Sequence, residues 1–196
     1  EADPVALDTA GTLAAVLRDR GELPEAERMQ RRVLSRLSGR YGDDHPRTLV
    51  AKLLLAMVLE RRARYDEAEA LLREIVAEGI QLYGPDHPTT GAWMGGLGAV
   101  LLDRGDPDAA EPWLERSLAI VRRSIEDPGE AGDALNRLAW IRLRRGDPDA
   151  RAAYLEALEF HRSRPAGDPE FVTDGFAGDV SRETMVPTPS TWPCTM

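Results

Sequence analysis

Apolar residues in the second quarter of the chain recur every three to four positions. Residues 46–62 and 65–82 each carry such a stripe, separated by charged and polar residues. A period of about 3.6 residues places these side chains on one face of a helix, so the spacing predicts two amphipathic helices. The stripes consist of Leu49, Leu53, Ala56, Met57, Ala68, Leu71, Leu72, Ile75 and Val76. No segment combines strand-like alternation with flanking turn residues, and the pattern therefore predicts an all-α protein.

An internal repeat organises the chain. The hexapeptide Tyr-Gly-Asp-Asp-His-Pro at 41–46 returns as Tyr-Gly-Pro-Asp-His-Pro at 83–88, a period of 42 residues. The tetrapeptide Gly-Asp-Pro-Asp at 105–108 returns at 146–149 after a shift of 41 residues. The same period connects Leu13, Leu55 and Leu97, and also Ala26, Ala68 and Ala110. Periods of this length are typical of stacked helical units. We expect four units, at about residues 4–45, 46–87, 88–128 and 129–162.

Turn residues divide each unit into two helices. His45-Pro46 and His87-Pro88 place proline at the first helical position, where its missing N–H costs no hydrogen bond. Gly105 and Gly146 suit the left-handed conformation that ends a helix. The Asp-Pro pairs that follow at 106–107 and 147–148 predict the N-cap and first residue of the next helix. Turns this short require antiparallel helix pairs.

These motifs resemble the tetratricopeptide repeat in its 42-residue, kinesin-light-chain-like form. The shared features are the Tyr-Gly-x-Asp-His-Pro linker, the Leu-Ala pair at 13–14 and 55–56, and Glu-Ala-Glu at 25–27 and 67–69. The Leu-Ala pair returns as Leu97-Gly98 and as Leu138-Ala139. The resemblance covers residues 1 to about 162. It implies a right-handed α-solenoid whose first helices line a concave groove, because such units bury their apolar faces only against their neighbours.

Composition and charge exclude several classes of function. The chain has 196 residues and a net charge of −9, which disfavours binding to nucleic acid or to an anionic membrane. Its one cysteine, Cys194, excludes an internal disulfide and a cysteine-based zinc site. No apolar run reaches the ~20 residues of a membrane span. Without a signal peptide either, a cytoplasmic location is the expectation.

Residues that could suggest catalysis are explained by helix structure. His45 and His87 occupy the same point of successive units, about 10 Å apart at the closest, so we expect them to cap helices rather than share a metal. The glycines within 91–98 lie in a helical segment and predict close helix packing rather than a phosphate loop. Alanine at Gly95 or Gly96 should stabilise the chain where the methyl has room. No nucleophile, base and orienting group occur together, so we expect no enzyme activity, metal or cofactor.

The resemblance to tetratricopeptide repeats also implies which residues line the groove. The family's backbone-clamping asparagine is present at Asn136, whereas Leu53 and Gly95 occupy the matching positions of other units. This departure predicts an apolar floor with charged residues at its rim. For Leu53 and Met57, partial packing in the core is as compatible with the sequence as a place in the groove. The predicted groove residues are Arg18, Val50, Leu53, Met57, Arg61, Gly95, Ala99, Asp133, Asn136 and Trp140.

Two classes of function remain open from the sequence. The first is a scaffold whose groove holds a peptide or a partner domain, with self-association through the terminal repeats as a further option. The second is a regulatory or sensor module of a larger bacterial signalling enzyme, such as a kinase or a signalling ATPase. The chain begins with Glu1 at a repeat boundary, from which we expect a longer parent polypeptide.

Residues 163–196 differ from the repeats. They contain five prolines and no repeat motif, and the run from Pro187 to Met196 cannot form a helix. Two roles are open for this tail, since a solenoid needs its last face covered. It caps the last unit with its apolar residues, or it occupies a groove as a mimic of the ligand. Amide exchange at random-coil rates over residues 170–192 would exclude both roles.

Overall fold

The computed structural model describes the backbone of residues 4–123 and 128–162, and the side chains of residues 9–123 and 132–158. The predicted tail at 163–196 lies outside these ranges. Helices account for 83% of the structure, and the described residues contain no strand. The helix bounds are α1 Pro4–Asp19, α2 Leu23–Tyr41, α3 Pro46–Arg61, α4 Tyr65–Leu82, α5 Pro88–Asp103, α6 Pro107–Val121, α7 Pro128–Arg145 and α8 Ala150–Arg162. The all-α α-solenoid predicted from the repeat is confirmed.

The linker between units is held together by the residues of its motif. His45 Nδ1 accepts a hydrogen bond from the Arg47 amide at 3.2 Å, and its ring stacks on Tyr41 with centroids 4.7 Å apart. Thr48 Oγ1 donates to the carbonyl of Gly42, whose φ of +93° favours glycine. The linker at 83–90 repeats these contacts: His87 accepts from the Thr89 amide and Thr90 donates to Gly84. The helix-capping role predicted for both histidines is confirmed.

The start of the last helix differs from the prediction. In α6, Asp106 caps the helix by accepting a hydrogen bond from the Ala109 amide at 3.0 Å, as the Asp-Pro motif predicts. In the last unit Asp147 instead accepts from the Asp149 amide, and α8 begins at Ala150 rather than at Pro148. Among the described side chains of α8, the buried ones are alanines, at positions 150, 153 and 157.

The core runs continuously through the successive units. One cluster extends from α3 to α8 and includes Leu49, Leu72, Leu97, Leu114 and Ile141, all fully buried. A smaller cluster joins α2 to α3. Each helix packs on its neighbours in sequence, and first helices also contact the next first helix, α1 with α3 and α5 with α7. This arrangement gives one layer of first helices and one of second helices.

A ladder of ion pairs connects each second helix to the next unit. Glu27 accepts from Arg62, Glu69 accepts from Arg104, and Glu111 accepts from Arg145 at 2.6 Å. The three glutamates follow the 42-residue period, and the arginines lie 35, 35 and 34 residues further along the chain. Glu27 forms ion pairs with three arginines, Arg31, Arg62 and Arg64.

Candidate functional site on the face of the first helices

The first-helix face is the layer formed by α1, α3, α5 and α7. Solenoids of paired helices expose this layer along a continuous surface, because the second helices cover only its back. The ten residues predicted to line a groove all lie on these four helices. The structure places them at different depths.

Three of the predicted residues are exposed or close to the surface in the middle of the layer. Val50 on α3 has 49% of its surface exposed, and Arg61 at the end of α3 is exposed. Leu53, one helical turn beyond Val50, is half-buried and packs against the core. Val50 and Leu53 therefore present a small apolar patch, with the Arg61 guanidinium at its end.

On α7 the predicted residues are half-buried. Trp140 packs against the core, and the guanidinium of Arg144 lies 5.4 Å from the centroid of its ring. A cation over an indole face is an attractive arrangement. Asp133 and Asn136 lie on the same helix and are also half-buried.

Four of the predicted residues are directed into the structure. Met57 and Ala99 belong to the buried core. Arg18 is also buried, because its Nη1 donates to the sulfur of Met57 at 3.5 Å while the same guanidinium pairs with Asp19 at 2.9 Å. A Cβ built on Gly95 would lie 2.9 Å from Ser117 Oγ, so this position faces α6. Arg18, Met57 and Gly95 each lie against a residue more than 20 positions away, so the sequence alone could not reveal their depths.

An acidic cluster on the first-helix face, in which Glu60 is buried and Asp103 is exposed, was not predicted from the sequence. Glu60 on α3 shares a hydrogen bond with Asp103 on α5, and Arg137 on α7 lies 3.9 Å from the Asp103 carboxylate. Burial raises the pKa of Glu60 to about 8; Arg137 opposes this shift and Asp103 adds to it. Burial also raises the pKa of the nearby Tyr65 hydroxyl, with Asp103 and Glu60 contributing. The cluster therefore holds a proton at neutral pH.

One oxygen of that cluster has no protein partner. Glu60 Oε2 is buried and accepts no hydrogen bond. The only sequence signal for the cluster is a pair of acids at almost the same register position of successive units, Glu60 and Asp103. That signal is weak, because acidic residues occur throughout the repeats. The described residues contain no group of three or more histidine, cysteine or acidic side chains arranged to hold a metal ion.

The family assignment follows from the repeat architecture and from comparison with known proteins. The tetratricopeptide-repeat profile matches residues 5–77, 49–123 and 96–163, which together cover most of the chain. The chain belongs to the tetratricopeptide repeat family. Solved structures of kinesin-light-chain-like proteins share its fold. A comparison with curated proteins finds no match.

Solved structures share the fold at low sequence identity. BtubC (BKLC) of P. vanneervenii superposes with a TM-score of 0.75 at 21% identity, over 86% of this chain and 68% of that one. A kinesin-light-chain-like protein of Podosopora anserina with nearly identical TPR-like repeats gives a TM-score of 0.65 at 20% identity, covering 83% of this chain and 79% of its own. A variant of that protein gives a TM-score of 0.67 at 20% identity, covering 81% of this chain and 76% of its own. At such identities the likeness concerns the fold alone.

Tetratricopeptide repeats generally mediate protein–protein interaction, and the scaffold is typically non-catalytic. Among the described residues, no helix is long and apolar enough to cross a membrane. The first-helix face is consistent with this general role, because it combines exposed apolar side chains with charged and amide groups.

Proposed function

We propose that this chain is a non-catalytic scaffold that binds a peptide or a partner domain through its first-helix face. The observation that carries the proposal is Val50, an apolar side chain left half-exposed in the centre of a layer whose other leucines and valines are mostly buried. Leu53 and Trp140 extend the apolar surface, and both reach it while packing on the core. Aromatic and aliphatic anchors of this kind carry most of the binding energy in typical interfaces.

The polar groups around these anchors determine what kind of ligand fits. Arg61 and Arg144 are exposed cations, one at the end of α3 and one at the end of α7. They favour a partner segment that carries acidic residues on either side of an apolar anchor. Asn136 provides both an amide donor and a carbonyl acceptor, the groups that hold a peptide backbone in place. The proposed ligand is therefore a segment with an apolar centre and acidic flanks.

The test compares two variants of the face with a matched control. Val50→Glu and Trp140→Ala are expected to weaken partner binding at least tenfold, since an anchor contributes about 2 kcal/mol. Leu82→Glu is the control, because Leu82 is also 49% exposed but lies on α4, in the layer of second helices. Partners are captured from lysate on the three proteins and identified by mass spectrometry, and their affinities are then measured with purified protein.

Helicity measured by circular dichroism distinguishes lost binding from lost folding. Val50 contributes little to the core, so Val50→Glu should keep the native helicity. Leu53 and Trp140 also pack on the core, so Leu53→Ala and Trp140→Ala remove core contacts and Val50→Glu is the cleaner variant. A partner that binds both face variants with native affinity and loses affinity only for Leu82→Glu would place the binding surface on the second helices and refute the proposal.

A further inference from the structure

The outer side of α1 exposes two residues whose counterparts in every other unit are buried. Leu13 is 48% exposed, whereas the residues in its register position, Leu55, Leu97 and Leu138, are 1%, 0% and 3% exposed. Val16 is 47% exposed, whereas Val58, Val100 and Ile141 are 2%, 0% and 0% exposed. The sequence pattern is therefore the same in all four units, and only the first lacks cover at these positions.

These positions are buried in the three units whose first helix follows another unit. In each later unit the first helix packs against the second helix of the preceding unit: α3 against α2, α5 against α4, and α7 against α6. Each covering helix is amphipathic, and it carries a buried alanine followed by the glutamate of the ion-pair ladder: Ala26-Glu27, Ala68-Glu69 and Ala110-Glu111. The same contact is therefore formed three times within one polypeptide.

The ion pairing of Arg20, which directly follows α1, is a second, independent observation near Leu13 and Val16. Its counterparts Arg62, Arg104 and Arg145 each donate to the glutamate of the preceding second helix. The side chain of Arg20 is 70% exposed and pairs with Glu22, two residues ahead, at 3.1 Å. Arg104 makes the matching pair with Asp106 at 3.3 Å and binds Glu69 at the same time. An arginine at this position can therefore pair with the acid two residues ahead and still bind a glutamate of the preceding second helix.

We propose that Leu13, Val16 and Arg20 form a docking surface for a partner helix of the same chemistry as α2, α4 and α6. That helix is amphipathic, places an apolar stripe over Leu13 and Val16, and carries an Ala-Glu pair whose carboxylate binds Arg20. This surface shares no residue with the groove residues proposed above, so it does not depend on the function proposed for them.

A second copy of the chain does not provide such a helix at its described end. The α8 position that corresponds to Glu111 is Ala152 by the 41-residue repeat shift and Tyr154 when the helix starts are aligned. Neither of these residues is acidic, and neither is Ala153 between them. Glu156, further along, already binds Arg122. The surface therefore favours a helix from a tetratricopeptide-like hairpin over end-to-end association of identical chains.

The proposal is tested by supplying such a helix. A copy of residues 46–87 is fused directly before Pro4, so that the copied α4 precedes α1 as α4 precedes α5. The copied Glu69 then lies 35 residues before Arg20, the same separation as between Glu69 and Arg104. Amide exchange over residues 9–20 is expected to slow at least about tenfold relative to the unfused chain, as the helix gains a packed neighbour.

Two controls make the result specific. Leu13→Asp should leave the melting temperature of the unfused chain nearly unchanged, because Leu13 is exposed there, and should abolish the slower exchange in the fusion. Replacing the copied Glu69 by Gln should reduce the slowing, and Arg20→Gln should have no additional effect in that background. A fusion whose added segment gains no helicity, or whose α1 exchanges as fast as before, would overturn the proposal.

Sedimentation of the unfused chain tests whether a second copy of the chain binds this surface instead. We expect a monomer at micromolar concentration. A dimer that Leu13→Asp dissociates would show that a second copy covers the face, contrary to the proposal.

Discussion

Glu60 takes up a proton when the chain folds. In the unfolded chain its carboxyl group has the ordinary pKa of 4.5, and in the folded chain burial beside Asp103 raises that pKa to about 8. Between these two values the folded state holds a proton that the unfolded state has released. The contribution of Glu60 to stability is therefore fully present below pH 4.5 and is lost as the pH rises toward 8.

We expect Glu60→Gln to remove this pH dependence. The neutral amide cannot ionise, and it retains a donor for Asp103. From pH 5 to pH 8 the native protein should lose stability relative to the variant by up to about 1.4 kcal/mol per pH unit. Urea unfolding at several pH values measures the difference, with Glu115→Gln, an exposed site on α6, as the control. Parallel stability curves for native protein and Glu60→Gln would show that Glu60 is ionised in the folded state.

Three glycines of α5 lie close to side chains of α6. A Cβ on Gly98 would lie 2.7 Å from Leu114 Cγ and 3.3 Å from the Ala110 carbonyl oxygen, and one on Gly91 would lie 2.8 Å from Ile120 Cγ2. On Gly95 the nearest atom is the Ser117 hydroxyl, which can rotate away. The predicted gain from Gly95→Ala therefore depends on Ser117, while close packing is confirmed as the reason for glycine at 91 and 98.

Gly98→Ala is expected to destabilise the protein by about 1–3 kcal/mol, because Leu114 must shift from a packed core position. Gly11→Ala is the matched comparison. Gly11 lies inside α1 with no atom within 4 Å of an added Cβ, so the substitution should stabilise by roughly 0.5–1 kcal/mol through helix propensity. Thermal unfolding followed by circular dichroism checks both signs. Stabilisation by Gly98→Ala would mean that α5 and α6 are packed less tightly than described.

At the scale of elements, the ion-pair ladder gives a role to the one glutamate of the Glu-Ala-Glu motif that the third unit retains. The third unit has Ala109 in place of the first glutamate and retains Glu111, the residue that pairs with Arg145. Glu27 is the most buried of the three, with 7% of its side chain exposed. Burial opposes its ionisation, but hydrogen bonds from Arg31, Arg64 and Arg62 prevail and lower the pKa of Glu27.

Glu27→Gln is expected to destabilise the contact between α2 and the second unit by about 2 kcal/mol, since three arginines lose a charged acceptor. Glu25→Gln, on the exposed side of the same helix, should change stability by less than about 0.5 kcal/mol. The midpoint of urea unfolding compares them. Equal effects of the two substitutions would show that the ladder contributes no more than an ordinary surface charge.

At the scale of the whole molecule, the described units differ in the apolar side chains that they bury. The fully buried leucines concentrate in α3 to α6, whereas α1 exposes Leu13 and Val16, and the described part of α8 packs through alanines. Stability in a repeat array is approximately the sum of each unit and its interfaces. We expect amide exchange to be slowest in α3–α6 and faster in α1 and α8. Equal protection in all helices would show that the array unfolds as one cooperative unit.

Local features of this fold could be predicted from the sequence because they depend on residues a few positions apart. The His-Pro caps and the glycines that end helices involve short-range hydrogen bonds or backbone conformation, and the 42-residue period is visible in the sequence itself. They predicted the helices from α2 to α7 and the family. They failed at α8, where the same Gly-Asp-Pro-Asp motif as before α6 is followed by a helix that starts two residues later.

Burial and exposure were decided only by the tertiary structure. Leu13 and Leu55 have the same place in the repeat, yet one is exposed and the other is buried in a helix, α3, that packs against the second helix of the preceding unit. Arg18 and Met57 were predicted for the groove and instead contact each other across 39 positions of sequence. Glu60 holds a proton because it is buried beside Asp103, which belongs to another unit. The repeat specifies what each unit is, and the neighbours that surround it determine which of its side chains remain available to a partner.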